Sequence, residues 1–236
     1  MCGIAGFINY PQGDNEKAQK FLFHRGPDAQ TSYIYNNINL VHTRLSIQDV
    51  EHGSQPLVIG DWVIIFNGEI YNHLELRGKV SSYTFQTQSD TETFLALYIE
   101  NGEAALSMCD GMFAFAILDK KSNNLILGRD RAGKKPLYYF REASSMVFAS
   151  ELNTLSNCVN KLKVDEKEIS SYIRNGFFYD EKTPFKNVFE VSPGTVLTVA
   201  INNLIIQKSS FFHILDHYKK DKINDFESAL RLVDEG

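Results

Sequence analysis

The sequence predicts a layered α/β sandwich built mainly from antiparallel strands, and three observations carry that prediction. Residues 112–118 (MFAFAIL) are apolar without alternation, the mark of a strand covered on both faces. Short strand-like runs joined by polar turns surround them. Helical segments with readable caps are interspersed, so helices on one face of a sheet and a second sheet on its other face would satisfy the burial.

The elements follow in order. Residues 3–8 (GIAGFI) are a short apolar run stopped by Asn9-Tyr10-Pro11-Gln12-Gly13-Asp14, which predicts a buried strand that ties down the N-terminus. A helix is expected over 16–23, and His24-Arg25-Gly26-Pro27-Asp28 ends it because Pro27 lacks a donor and restricts Gly26. Residues 62–66 (WVIIF) read as a strand that stops at Asn67-Gly68. Ser89 and Glu92 have capping-box spacing at the start of a helix expected to end near Asn101-Gly102. Strands over 124–127, 137–140 and 146–149 are expected to form one antiparallel meander around 112–118. A helix over 165–175 precedes Gly176, and a hairpin pairs 195–201 with 204–207 across Asn202-Asn203. Finally, Asn224 would cap a helix with Phe226, Leu230 and Val233 on one stripe and no later element to cover it. The expected division is a domain over 1–210 and, over 211–236, a linker and the first helix of a missing or separate domain.

Composition narrows the class. With 236 residues and 43% hydrophobic content the chain can bury a substantial core. Its net charge of −5 includes no basic block that could neutralise a phosphate backbone or an anionic membrane, which argues against nucleic acid and membrane partners. The opening residues lack a charged leader and a cleavage site, and no apolar run reaches spanning length, so a soluble cytoplasmic protein is expected. Cys2, Cys109 and Cys158 are too few and too scattered for a disulfide framework or a zinc site.

Cys2 carries the most informative chemistry. Removal of Met1 would put a thiol and a free α-amine on one residue, and an amine with pKa near roughly 7.7–8.0 can take the thiol proton directly or through one water. The thiolate could then attack a carboxamide, with the amine serving as acid and base in turn. On position alone a small buried hydrophobe is the better reading of Cys2. The accompanying motifs reverse that preference. Asn67-Gly68-Glu69 offers a side-chain amide and a backbone N–H for an oxyanion, Arg44 a fork suited to a carboxylate, and Asp90 an acceptor for an ammonium. Singly, these residues read as a hairpin turn, a surface ion-pair partner and a favourable charge at a helix start.

These motifs belong to a longer ordered series. It runs through Met1-Cys2-Gly3-Ile4-Ala5-Gly6, His24-Arg25-Gly26-Pro27-Asp28, Arg44-Leu45-Ser46-Ile47, Gly53-Ser54-Gln55-Pro56-Leu57 and Phe66-Asn67-Gly68-Glu69-Ile70-Tyr71-Asn72. It continues with Ser89-Asp90-Thr91-Glu92, Asp110-Gly111-Met112-Phe113-Ala114-Phe115-Ala116, Arg129-Asp130, Gly133-Lys134-Lys135-Pro136-Leu137-Tyr138-Tyr139 and Phe148-Ala149-Ser150-Glu151. In this series the chain resembles the class II glutamine amidotransferases, which are N-terminal-nucleophile hydrolases, and most closely the glutaminase domain of asparagine synthetase. The resemblance implies an α+β fold, a four-layer αββα sandwich of two mainly antiparallel sheets. It implies hydrolysis of the L-glutamine side-chain amide through a Cys2 thioester, with Asn67 and the Gly68 amide as oxyanion hole. Arg44 is implied as the clamp for the substrate α-carboxylate, Glu69 and Asp90 as contacts to its polar groups, and Leu45, Ser46, Ile47 and Gln48 as the rest of the pocket. No metal or organic cofactor is implied for this half-reaction; ATP and Mg would belong to a synthetase domain or subunit that consumes the ammonia.

Two departures stand out. Gln48 replaces a usually apolar residue after the Arg-Leu-Ser-Ile run, and no Ser-Gly-Gly-Leu-Asp-Ser loop of a synthetase domain is present. His24, in a turn-rich loop, fits a structural or interdomain role rather than catalysis. The alternatives are a catalytically silent domain that senses glutamine and docks through its C-terminal helix, or another enzyme with the same N-terminal chemistry. The Arg44-Leu45-Ser46-Ile47 run and residues 133–139 fit the asparagine synthetase branch better than that last alternative. Monomer and homodimer remain open.

Overall fold

The computed structural model describes residues 1–218 together with 226 and 230. In chain order its elements are β1 (Gly3–Ile8), α1 (Asn15–Leu22), β2 (Ala29–Tyr35), β3 (Ile38–Arg44), β4 (Leu57–Ile59), β5 (Trp62–Ile70), α2 (His73–Arg77), α3 (Asp90–Asn101), α4 (Ala104–Met108), β6 (Gly111–Asp119), β7 (Asn124–Arg129), β8 (Tyr138–Arg141), β9 (Met146–Ala149), α5 (Leu152–Cys158), α6 (Glu166–Asn175), β10 (Val188–Glu190), β11 (Thr195–Ala200), β12 (Ile205–Ser210) and α7 (Ile214–Tyr218). They build two six-stranded sheets, ordered β10-β8-β9-β1-β3-β2 and β12-β11-β7-β6-β5-β4. Every strand pairing in both sheets is antiparallel.

Side chains alternate across a strand, and that alternation sorts the apolar residues into layers. Ile4 and Ile8 of β1 meet Val63 and Ile65 of β5 and Ala114, Ala116 and Leu118 of β6 in the core between the sheets. Their strand neighbours face outward. Ala5 and Phe7 pack with Ala18, Leu22 and Leu155 from α1 and α5, while Ile64, Phe66, Phe113 and Phe115 pack with Phe94, Leu95 and Leu97 of α3. The result is the four-layer αββα sandwich, and it accounts for the unbroken apolar run of β6, which has apolar neighbours on both faces.

The outer aromatic cluster fixes the start of α3. Phe94 lies 5.0 Å from Phe115 and 5.5 Å from Phe66, ring centre to ring centre. Each such pair adds about 0.5–1.5 kcal/mol beyond burial. Four residues N-terminal to Phe94, Asp90 is thereby held against β5. The Ser89 hydroxyl caps the helix by accepting from the Glu92 N–H at 3.2 Å. Only this half of the expected capping box forms. The Glu92 carboxylate instead accepts from the Gln86 and Thr87 amides at 2.8 Å and from the Tyr83 hydroxyl at 2.7 Å.

Several expectations are corrected. β5 does not stop at Asn67-Gly68 but runs on to Ile70, paired with β6 throughout. The expected single meander is divided: β7 joins β6 in one sheet, whereas in the other β8 pairs with β9 and β9 with β1. The late hairpin closes through Ile201, Asn202, Asn203 and Leu204, since Ala200 pairs with Ile205. Gly102 ends α3 at φ 58, ψ −142, outside the left-handed helical region expected for it, whereas Gly176 ends α6 at φ 82, ψ 0, within it. The helix expected after Asn224 lies outside the described residues apart from Phe226 and Leu230, both exposed. No helix among the described residues is long and apolar enough to cross a membrane.

One buried base makes the fold sensitive to acid. His42 of β3 is 0% exposed, with Nε2 3.3 Å from the Phe66 carbonyl and no partner for Nδ1. Burial pushes its pKa down from 6.5 to about 3, so the folded chain holds it neutral while the unfolded chain protonates it. Its contribution is whole above pH 6.5 and falls by about 1.4 kcal/mol per unit as the pH drops from there toward 3. Urea unfolding at pH 7 and pH 5 should show this loss, and His42→Gln should flatten it; equal slopes in both proteins would refute the assignment.

Candidate active site

The site forms where the two sheets part at the N-terminal end of β1. Cys2 immediately precedes that strand, and the β1–β3 register pairs Gly3 with Thr43, which sets Cys2 opposite Arg44. From the second sheet, Asn67 and Glu69 share the parity of Val63 and Ile65 and so project from the inter-sheet face of β5. These groups meet in one cavity of about 130 Å³, lined by Cys2, Arg44, Leu45, Ile47, Gln48, Asn67, Gly68, Glu69 and Asp90 among others. That volume is below the roughly 300–1,000 Å³ of drug-sized pockets and suits a small metabolite. A larger cavity of about 690 Å³ beyond the other end of β1 is lined by Phe7, Tyr10, Asn37 and Asn202 and holds no nucleophile or acid–base pair.

The Cys2 thiol is half-buried, and its surroundings favour the protonated form. Leu45 N–H donates to Sγ at 3.4 Å, and Sγ lies 3.7 Å from the Leu45 carbonyl. Burial raises the thiol pKa, against which the Leu45 N–H, the chain-terminal amine and Arg44 act, while Asp90 adds to the rise. The chain-terminal amine here is that of Met1, and burial lowers its pKa. None of the three cysteines is in a disulfide.

The main chain of Cys2 is tied down from two sides. Arg25 donates through Nε to the Cys2 carbonyl at 2.9 Å and through a terminal nitrogen to Glu151 at 2.8 Å. The amide of Asn67, oriented by its neighbours, donates from Nδ2 to the same carbonyl at 2.9 Å and accepts from Arg25 at 3.3 Å. His24 lies outside the cavity, with Nε2 3.1 Å from Glu151.

The backbone of β5 supplies a second donor. Phe66 N–H donates to the Gln55 side chain at 2.6 Å, and Ile70 N–H to Asp90 Oδ2 at 2.9 Å. Both point to the edge left open where β4 ends. Alternate amides of a strand point the same way, so the Gly68 N–H between them faces that edge as well. Across the ladder, Phe113 turns both its N–H and its C=O to Asp130, which agrees with that direction for Gly68. The close approach of β6 also requires glycine here, because a Cβ on Gly68 would lie 2.4 Å from the Met112 carbonyl oxygen.

The polar walls are arranged by local bonds. Arg44 donates to the carbonyls of Gln48, Asp49 and Val50 at 3.1, 2.7 and 3.0 Å. It therefore curls the loop after β3 over the cavity, leaving only part of its five-donor fork for a ligand. Glu69 is half-buried, and burial followed by the neighbouring Asp90 raises its pKa; a hydrogen bond from Gln48 Nε2 opposes the rise. Burial raises the pKa of Asp90 too, with N–H groups of Ile70 and Thr91 holding it back. Gln48 Oε1 is buried without a partner.

Of the residues expected at the site, Ser46 alone is absent from the lining. Its N–H donates to Asp28 Oδ2 at 2.7 Å, an anchor for the loop rather than a wall of the pocket. Three residues that line the cavity or bond to its lining escaped the sequence reading. Gln55 bridges the Phe66 amide and Thr91 Oγ1, Lys135 lines the cavity, and Arg25 holds the Cys2 carbonyl. All three sit inside motifs of the ordered series, which was the available signal.

Comparison with known proteins bears on the family and the fold. The chain is 39% identical over 223 residues to the glutamine-hydrolysing asparagine synthetase 1 of Bacillus subtilis, covering 89% of this chain and 35% of that protein. It is 32% identical over 254 residues to a putative asparagine synthetase 2 of Methanocaldococcus jannaschii, covering 94% and 49%. The chain thus spans between about a third and a half of these relatives. In fold it resembles the solved glutamine phosphoribosylpyrophosphate amidotransferase of B. subtilis, with a TM-score of 0.63 at 19% identity over 89% of this chain and 49% of that one. The model of the glutamine amidotransferase domain matches residues 1–211, and the chain belongs to that family.

Proposed function

We propose that the chain hydrolyses the side-chain amide of L-glutamine through Cys2 and that the ammonia passes to an ATP-dependent synthetase site in a further domain or subunit. The observation that carries this reading is the shared cavity of a free thiol, an outward-facing backbone amide, a paired set of acids and an arginine. The naming of the relatives as glutamine-hydrolysing asparagine synthetases supports it. Residues 1–210 would form the glutaminase unit and 211–236 lead toward the second domain. Unpaired cysteines fit a reducing compartment such as the cytoplasm.

In this mechanism the Cys2 amine, free once Met1 is removed, takes the Sγ proton, and the thiolate attacks the substrate amide carbon. The resulting oxyanion lies against Asn67 Nδ2 and the Gly68 N–H. On collapse the carbon–nitrogen bond breaks, the amine returns its proton to the departing nitrogen, and ammonia leaves a glutamyl thioester. Water, deprotonated by the same amine, adds to the thioester; the carbon–sulfur bond breaks, and glutamate and the thiol are released. These steps use residues of the chain without a metal or organic cofactor. Arg44 faces the α-carboxylate through its remaining donors, and Glu69 and Asp90 the α-ammonium.

Gln48 completes the ammonium site. Its Nε2 is committed to Glu69, which turns the unpaired Oε1 into a third acceptor for the three ammonium hydrogens. Gln48→Leu is expected to raise KM for glutamine about 5- to 10-fold, about one neutral hydrogen bond, with kcat little changed. The direct test of the function is a glutaminase assay on the processed chain, reading glutamate and ammonia in equal amounts. No ammonia from glutamine under conditions where the chain is folded would overturn it.

A further inference from the structure

Two adjacent lysines after β7 have opposite environments. Lys134 is exposed, whereas Lys135 is buried, only 5% exposed, and lines the same cavity as Cys2 and Glu69. Its backbone is clamped on both sides, with N–H donating to Asp130 Oδ2 at 3.0 Å and C=O accepting from Arg129 Nε at 2.7 Å. Arg129 is fixed in turn by the carbonyls of Gly133 and Val191 at 2.6 and 2.7 Å. The lysine stem therefore starts from a rigid point.

The obvious counter-ion is occupied. Asp130 accepts backbone N–H groups from Phe113, Ala132, Lys134 and Lys135 at 3.0–3.1 Å and makes no ion pair with the Lys135 ammonium. Among the described residues that ammonium has no hydrogen-bond or ion-pair partner. The residue is buried, but its ammonium opens onto the cavity rather than lying sealed in the core, so its charge is free to meet an anion there. In the proposed reaction an anion does form in this cavity, on the sulfur of Cys2.

We propose that Lys135 is the electrostatic partner of Cys2, its ammonium stabilising the thiolate that attacks the substrate amide. This rests on the nucleophilic reading of Cys2. The electrostatics run the same way: burial and Arg25 hold the Lys135 pKa below the usual lysine range, while Asp130, Cys2 and Glu69 raise it. Around the sulfur stand the Met1 amine, whose place the Cys2 amine takes on processing, with Arg44 and Lys135 as further cations and Asp90 and Glu69 as anions. Arg44 and Arg25 have donors fixed on protein acceptors, so Lys135 is the side-chain cation of the cavity that has made no such commitment.

The test follows the rate of Cys2 carbamidomethylation by iodoacetamide against pH, read by mass spectrometry on the processed full chain. Lys135→Met is expected to raise the midpoint by about one pH unit, the low end of what a neighbouring opposite charge does to a pKa. Labelling at pH 7 should slow about 10-fold, and the acid limb of kcat/KM should move with it. Lys135→Arg should restore most of the shift, and Lys134→Met at the exposed neighbour should leave the profile unmoved. Lys135→Gln gives the same reading if the methionine variant does not fold. Superimposable profiles for wild type and the neutral variants would overturn the role of Lys135. Glutamine hydrolysis persisting in Cys2→Ala would instead overturn the nucleophile, so the two failures are distinct.

Discussion

Replacing Cys2 by alanine is expected to lower glutamine hydrolysis by about 10³-fold or more, with the fold unchanged. In the proposed mechanism the thiol provides the covalent route, and removing it leaves only what binding and oxyanion donors achieve without it. Stability should survive because the side chain is small, lies at the mouth of a cavity and takes part only in long contacts with Leu45. Binding of glutamine should also persist, since Arg44, Glu69, Gln48 and Asp90 are untouched. Calorimetry on the alanine variant would then give a saturating signal with no ammonia released. Equal ammonia release from wild type and variant would exclude the nucleophile and return the chain to the reading of a domain that only senses glutamine.

Retention of Met1 should have a comparable effect. With Met1 in place the nitrogen of Cys2 is a peptide amide and takes no proton, and Met1 itself lines the cavity. A chain carrying an N-terminal extension that ends in a protease site immediately before Cys2 is expected to be about 10²- to 10⁴-fold less active before cleavage, the usual worth of a positioned acid–base group. Cleavage should restore turnover. Full activity in material whose mass shows the extension intact would refute the role of the amine.

Much of the architecture was legible because it is written in local periodicity. The run 112–118 announced a doubly covered strand, and Ser89, Asp165 and Gly176 marked helix ends that the structure reproduces. Other elements left weaker marks. β2 alternates partly exposed residues such as Gln30, Ser32 and Ile34 with half-buried ones and so never forms an apolar run. Asn67-Gly68 was misread as a strand end because the pair favours turns; the fit of Gly68 against Met112 keeps it in the ladder. The division of the meander could not be read from turn lengths, since it depends on which sheet each strand joins.

The site divides in the same manner. Cys2, Asn67 and Asp90 were singled out because they occur together in one ordered series of motifs, each having an ordinary reading by itself. Arg25 was not, because its partner Glu151 lies 126 residues away, and Lys135 was not, because two adjacent lysines look alike until one is buried. Arg44 was identified, but its bonds to the loop it organises come from the folded path of 48–50 rather than from any motif.

The groups to which the proposed reaction is assigned ride on different sheets. Cys2 is carried by the sheet of β1, and the amides of Asn67 and Gly68 by the sheet of β5, with Ile4, Ile65 and Ala114 filling the space between. The apolar middle layer therefore works as a spacer gauge. It holds the two sheet planes about 10 Å apart, the separation at which side chains and chain ends from both sheets meet across the cavity. Trimming a methyl group from that filling would register as a misaligned attack even though no polar residue had been altered.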